Sequence, residues 1–260
     1  QKATTGADGT AKFTADLPLG FSYDVKEVQA PEGYVRNTED VYTFALSYTN
    51  DKEAKQTFKH TFKNERVTAK ISLQKQDKET KKAVPQGDAT LEKAVYGLYA
   101  REDIVHPDGA TGVVYKAGEQ VATLTTDKNG QASVDGLYLG NYYVKEITPP
   151  TGYLADEEEH DLVCNYEGDL VAEVKRDCLS LEQVMKQPFQ IIKAANNGKT
   201  DADLLKGAGF TAYLVSSLKV NEDGCYDFDS AKPVVIGEKG ATEIFTDEKG
   251  YACSIAIPYG

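Results

Sequence analysis

Tryptophan is absent from the 260 residues, methionine occurs once and histidine three times. His60, His106 and His160 are far apart, and none sits beside a Ser or Cys in a recognisable nucleophile motif, so no turnover enzyme is expected. Cysteine is scarce as well. Cys164, Cys178, Cys225 and Cys253 form no C-x-x-C pair suited to zinc and are too scattered for a disulfide framework. They read as small core or strand residues, with a single disulfide left open. No apolar run reaches transmembrane length and no signal peptide opens the chain, so this segment reads as soluble, with room for both signals in a larger parent. Positive charge is in deficit, with 29 Lys and Arg against 41 Asp and Glu. Such a surface repels phosphate backbones and anionic lipid, which makes nucleic acid and membranes poor partners. The acidic group Asp223, Asp227 and Asp229 lacks the Gly and the distant Glu of an EF-hand loop. It reads as a solvated loop, and neither metal nor cofactor is expected.

What the chain does have is Tyr and Gly, 16 and 22 of them, spread among short alternating segments that favour an all-β protein. Three stretches repeat one pattern: "ADGTAKFTADLPLGFSYDVKE", "TDKNGQASVDGLYLGNYYVKE" and "TDEKGYACSIAIPYG". Each is an Asp/Asn-Gly or Lys-Gly turn, a strand, a short turn ending in Gly, then another strand, and the third stops at Gly260. A second pair, "KISLQKQDKETKKAV…YGLYA" from Lys70 and "FQIIKAANNGKTDADLLKGAGFTAYLV" from Phe189, reads as strand, polar turn, strand. Their order gives the back half of a module at 1–65, a complete module at 66–186 and a front half at 187–260. Turn spacing within the complete module predicts an antiparallel β-sandwich of about seven strands. "LSLEQVMK" from Leu179 has a helical reading, but its equivalent "HTFKNERV" from His60 alternates, so both are expected as final strands.

Polar groups sit where hydrocarbon is expected. Tyr23, Val25 and Glu27 share a strand face, as do Tyr142, Val144 and Glu146. Lys75 follows Ile71 and Leu73 in the same parity, Lys193 follows Phe189 and Ile191, and Asn64 shares a face with Phe58 and Phe62. Burial favours the neutral amine of a Lys and the neutral acid of a Glu. A neutral amine beside a carboxamide, with a protonated carboxyl group to polarise the C=O, can attack, expel ammonia and leave a side-chain amide.

The strand-and-turn stretches "YDVKEVQAPEGY" and "YYVKEITPPTGY", the strands "ISLQKQD" and "FQIIKAA", and the ending "TFKNE" resemble the Cna B-type (SpaA-like, prealbumin-like) repeats of Gram-positive surface proteins and pilins. The resemblance implies tandem immunoglobulin-like (Cna B-type) β-sandwiches in an extracellular, wall-anchored stalk. It further implies Lys–Asn or Lys–Asp isopeptide bonds, with Lys75 and Lys193 at the lysine position, Glu27 and Glu146 at the acid and Asn64 at the acceptor. The middle module departs from the pattern with Glu182-Gln183 where the asparagine belongs. Counting back from the lysine strands nominates Glu182, and counting forward from Tyr34 and Tyr153 nominates Gln183. Parity with Leu179 and Leu181 selects Gln183, whose extra methylene works against near-attack geometry. A noncovalent Lys75–Glu146 pair with Gln183 hydrogen-bonded beside it is therefore expected. Two functional readings remain: a structural stalk segment whose partners are neighbouring modules, or a module that binds a host protein or glycan. The second would use the loops "REDIVHPDGATGVVYKAGEQ" and "KVNEDGCYDFDSAKPVV", with Tyr115, Tyr226 and Phe228.

Overall fold

A computed structural model describes residues 1–48, 50, 56–196 and 203–260. Part of the polar turn expected after Phe189 falls at 197–202, outside the described residues. The chain divides into two compact units, one of residues 1–67 with 166–172 and one of residues 68–165 with 173–260. Among the described residues, no helix is long and apolar enough to cross a membrane.

In the first unit, β1 (Phe21–Lys26) and β2 (Val41–Leu46) form an antiparallel hairpin with Tyr23 opposite Phe44. One face carries a ladder of rings: Tyr23 on Phe44, Tyr42 on His60, and Phe44 on Phe58. The loop 166–172 belongs to this unit because Asp169 accepts from the Ala30 N–H through its side chain and from the Arg36 N–H through its carbonyl. Residues 60–65 belong to no strand and Arg66 makes only an isolated bridge to Tyr34, so the final strand expected from His60 is not formed.

The second unit is built on seven main strands. These are β3 (Thr68–Asp77), β4 (Val95–Ala100), β5 (Gln120–Thr125), β6 (Gln131–Leu137), β7 (Gly140–Thr148), β8 (Glu159–Cys164) and β9 (Glu173–Glu182). They make a four-stranded sheet in the order β8-β7-β4-β5 and a three-stranded sheet in the order β9-β3-β6. Strict alternation in β3 buries Ala69, Ile71, Leu73, Lys75 and Asp77, which puts Ile71, Leu73 and Lys75 on one inward face as their shared parity predicts. Tyr142, Val144 and Glu146 of β7 are likewise buried. One ladder departs from the antiparallel expectation: β9 runs parallel to β3, with Ser180 opposite Lys75 and Glu182 opposite Asp77. First and last strands lie side by side and point the same way.

The rest of this unit carries β10 (Gln190–Ile192), β11 (Gly209–Thr211), β12 (Glu243–Phe245) and β13 (Tyr251–Cys253). β10 pairs with β13 and β11 with β12, both antiparallel, over a small core of Ile236, Ile244 and Ala252. The same local bonds recur in the two halves of the unit. Lys75 N–H donates to the Gly130 carbonyl and Lys193 N–H to that of Gly250, each at 2.8 Å. Thr126 Oγ1 donates to the Leu91 carbonyl at 2.6 Å and Thr246 Oγ1 to that of Leu205 at 2.7 Å. Gly130 and Gly250 both have positive φ, and an added Cβ would fall 2.8 Å from the Lys75 carbonyl oxygen and 2.7 Å from that of Lys193. All four cysteines are thiols, Cys164 and Cys178 buried and Cys225 and Cys253 exposed.

Candidate functional site

The parallel pairing of β3 with β9 brings a buried polar cluster together between the sheets. Lys75 is fully buried, Glu182 is 2% exposed and Glu146 9%. The Lys75 ammonium contacts Glu182 Oε1 directly and lies 3.4 Å from Glu146 Oε1. Tyr96, on β4, donates its hydroxyl to Glu182 Oε1 at 2.6 Å, and the same hydroxyl lies 3.0 Å from Ser180 Oγ and 3.3 Å from Lys75 Nζ. The rings of Tyr96 and Tyr153 lie 5.8 and 5.4 Å from the Lys75 nitrogen. Behind this group, the Asp156 N–H donates to Glu146 Oε2 at 2.8 Å, and His160 Nε2 lies 3.1 Å from Asp156 Oδ2. Glu182 Oε2 is buried with no hydrogen-bond partner.

Burial pushes the Lys75 amine down to about 8, against the opposing attraction of Glu146 and Asp156. The phenols of Tyr96 and Tyr153 are pushed up, chiefly by burial, and remain protonated donors. Burial also pushes the Cys178 thiol up to about 12. Asp77 is shielded from water, which opposes ionisation. Hydrogen bonds from Thr80, Gln86 and Tyr153 outweigh that and hold its carboxyl below the usual range.

The acceptor position is a correction to the sequence reading. Gln183 points away from Lys75, and its amide donates to Glu79 Oε1 at 2.6 Å. Inward places on β9 go to Cys178, Ser180 and Glu182, while Leu179 is 50% exposed on the outer face. β9 is an edge strand, so its outer side tolerates leucines that parity had assigned to the core. Tyr96 and Ser180 were missed altogether. Their only sequence signal is that Ser180 shares parity with Cys178 and Glu182.

The first unit holds a matching arrangement without its lysine. Asn64 Nδ2 donates to Glu27 Oε2 at 2.6 Å and to the Val35 carbonyl at 2.9 Å, and the Asn37 N–H donates to Glu27 Oε2 at 2.9 Å. Three backbone contacts fix the correspondence. Tyr34 bridges Arg66 as Tyr153 bridges Val184. Val35 N–H bonds the Glu65 carbonyl as Leu154 N–H bonds that of Gln183, and Val67 N–H bonds Gly33 as Met185 N–H bonds Gly152. Glu65 therefore matches Gln183, and Asn64 matches Glu182.

Lys193 does not enter a core. It is exposed, and among the described residues of 187–260 no counterpart of β7 or β9 covers that end of β10. The loop aromatics pack on one another, Tyr115 against Tyr138 and Phe228 against both Tyr213 and Tyr226. Asp227 spends its carboxylate on Asp229, Ser230 and its own turn, and Asp223 caps Cys225.

The SpaA prealbumin-like fold domain family matches residues 1–61 and 69–177, well over half of the sequence. The chain belongs to that family. Its all-β fold is accordingly the prealbumin-like one. Among solved structures, the Bacillus anthracis TIE protein is 24% identical over 100% of this chain, with a TM-score of 0.56. This chain spans 38% of that protein. A streptococcal ancillary pilin is 21% identical over 94% of this chain and 65% of its own (TM-score 0.31). The shaft pilin SpaA of Lactobacillus rhamnosus GG is 16% identical over 71% of this chain and 80% of its own (TM-score 0.30). No curated protein matches.

Proposed function

We propose that this SpaA-type chain is a structural stalk segment of an extracellular, cell-surface protein of the Gram-positive pilin and adhesin kind. Its partners in this reading are neighbouring modules of the same parent, and it carries out no turnover chemistry. The observation that carries the reading is the side-by-side, parallel arrangement of β3 and β9 with the Lys75 cluster between them. Tension applied through the chain pulls β3 from its start and β9 from its end. Because the two strands are parallel, that load shears every hydrogen bond of the ladder at once instead of unzipping them singly. The Lys75–Glu182 contact lies at the far end of the ladder from Thr68, so it resists the same sliding motion.

The tie in this module is ionic. A carboxyl group is a poorer acyl acceptor for an amine than the carboxamide found at Asn64, and Tyr96 already donates to Glu182 Oε1. Peptide mapping of the full chain should therefore recover Lys75 and Glu182 in separate, unmodified peptides. A Lys75–Glu182 crosslinked peptide lighter by one water would overturn the ionic assignment.

Single-molecule pulling through handles at both ends tests the mechanical role. The largest unfolding force should belong to the segment 68–182, and it should drop in Lys75→Met. If that segment yields at low force in the unaltered chain, the stalk reading fails.

A further inference from the structure

Residues 156–160 read D-E-E-E-H, and alternation sets Asp156, Glu158 and His160 on one side of the extended chain that enters β8. The run is neither a C-x-x-C zinc pair nor an EF-hand loop, so spacing alone gives no metal signal. In the fold, one ligand atom from each of the three comes within 4.8 Å of the other two. Among the described residues no other group of three such side chains converges in this way. We propose that Asp156, Glu158 and His160 form a binding site for one divalent transition-metal ion. Zn²⁺ is the redox-inert member of the class that an imidazole and two carboxylates suit.

The distances suit such an ion. Asp156 Oδ2 and His160 Nε2 lie 3.1 Å apart. Two donors held about 2.1 Å from one metal, at an angle of about 90–110°, stand roughly 3.0–3.4 Å apart, so the ion takes the place of the hydrogen between them with little movement. Asp156 is oriented from behind. Its N–H donates to Glu146 Oε2 at 2.8 Å, its Oδ1 accepts the Glu158 N–H at 3.0 Å, and Ser180 Oγ lies 3.4 Å from its Oδ2. Outer contacts of this kind fix the direction of a ligating carboxylate. Asp156 and His160 are mostly buried, whereas Glu158 is exposed and closes the site from the solvent side, leaving the remaining positions to water.

Two observations outside the three side chains point to a cation. Glu182 Oε2 is buried without a hydrogen-bond partner, although Oε1 of the same group is shared by Lys75, Tyr96 and Ser180. Ser180 links that group to Asp156, and a water carried by the ion is a donor of the kind that Oε2 lacks. The second observation is charge. Glu146, Glu182 and Asp156 are joined through Lys75 and Ser180, so three largely buried carboxyl groups share one amine, and His160 adds charge only when protonated. Buried anions without a counter-ion are costly, and a divalent ion at Asp156 supplies the missing positive charge. The first unit shows that the fold requires neither ligand type at these places. Asn37 N–H bonds Glu27 as Asp156 N–H bonds Glu146, and Asn37 Oδ1 accepts the Glu39 N–H as Asp156 Oδ1 accepts that of Glu158. Tyr42 stands opposite Val25 on β1 as His160 stands opposite Val144 on β7. Turn and strand are thus made there with Asn and Tyr, and the carboxylate and imidazole of the second unit are additions to them.

Zinc titration of the chelator-treated full chain tests the site, with Cys225→Ser and Cys253→Ser in place to remove the exposed thiols as competing ligands. Calorimetry should show one Zn²⁺ bound per chain. The denaturant midpoint read by circular dichroism should rise with it, since at free Zn²⁺ 100 times the dissociation constant the folded-to-unfolded ratio increases about 100-fold. Asp156→Asn keeps the turn acceptor that Asn37 supplies, and His160→Gln keeps a hydrogen-bond partner for Asp156. Each should lose both effects while staying folded without zinc. Glu158→Gln, at the exposed ligand where packing is not disturbed, should weaken binding at least about tenfold. Removing the other His–Asp pair with His60→Ala should change neither reading. The proposal is overturned if the intact site binds no zinc saturably or if binding survives Asp156→Asn and His160→Gln together. Zinc that binds without raising the midpoint overturns it too, because the site exists only in the folded chain. None of these results bears on the pulling experiment, so the stalk reading stands or falls separately.

Discussion

Lys75→Met is expected to destabilise the 68–182 segment by about 3–5 kcal/mol, the usual cost of removing one partner from a buried ionic group. The substitution keeps the length of the side chain but removes the nitrogen that, charged or neutral, bridges Glu146 and Glu182 with its N–H groups. Asp156 N–H still bonds Glu146 and Tyr96 still bonds Glu182, yet neither donor reaches both carboxyl groups. Two native thiols report the result. Cys164 and Cys178 are buried on strands of this segment, while Cys225 and Cys253 are exposed and react at once. At roughly tenfold per 1.4 kcal/mol, the slow labelling of Cys164 and Cys178 should accelerate by about 10²- to 10⁴-fold. Adding Glu182→Leu should recover much of the loss, because a buried ionic group is often replaceable by hydrocarbon of similar volume. An effect of the single variant below about 1 kcal/mol would show that the site does not depend on the Lys75 nitrogen.

How far the sequence reveals this site depends on which face each strand buries. On β3 and β7 hydrocarbon and polar residues share the inward face, so Ile71 and Leu73 point to Lys75, and Tyr142 and Val144 to Glu146. That parity locates two members of the cluster. On β9 the rule fails because the inward residues near the site are Cys178, Ser180 and Glu182, while the leucines face out. The spacing from lysine strand to acceptor does identify Glu182, and it does so because it counts backbone register, which the repeated Tyr34–Arg66 and Tyr153–Val184 bridges preserve. Hydrophobic parity reports packing, and a polar site on an edge strand inverts it. The parallel sense of β3 and β9 is not legible locally at all, since two strands about a hundred residues apart carry the same alternation whichever way they pair. Lys193 has the parity of Lys75 but no covering strand among the described residues of 187–260, and parity alone says nothing about what lies opposite.

Alkali should strengthen the middle segment before it weakens it. Lys75 falls from an ordinary value of 10.5 to about 8 in the folded chain, so between those values the unfolded chain binds the extra proton. Stability then rises with pH: the burial penalty on the ammonium is present in full below 8 and disappears as pH approaches 10.5. From pH 8 to 10 the gain is about 2–3 kcal/mol, at 1.36 kcal/mol for each unit. Tyr96 and Tyr153 act in the opposite sense, because burial raises both above the ordinary 10.0 and the folded chain keeps their protons longer. Above pH 10 their ionisation in the unfolded chain draws the equilibrium toward unfolding, so a maximum is expected near that pH. Denaturant midpoints followed by far-UV circular dichroism, compared between the unaltered chain and Lys75→Met, isolate the lysine because the tyrosines and the surface charges are common to both. The rise from pH 8 to 10 should vanish from the variant, leaving only the later decline. If the unaltered chain shows no rise relative to the variant, Lys75 does not titrate there, as would follow if its nitrogen were already an amide.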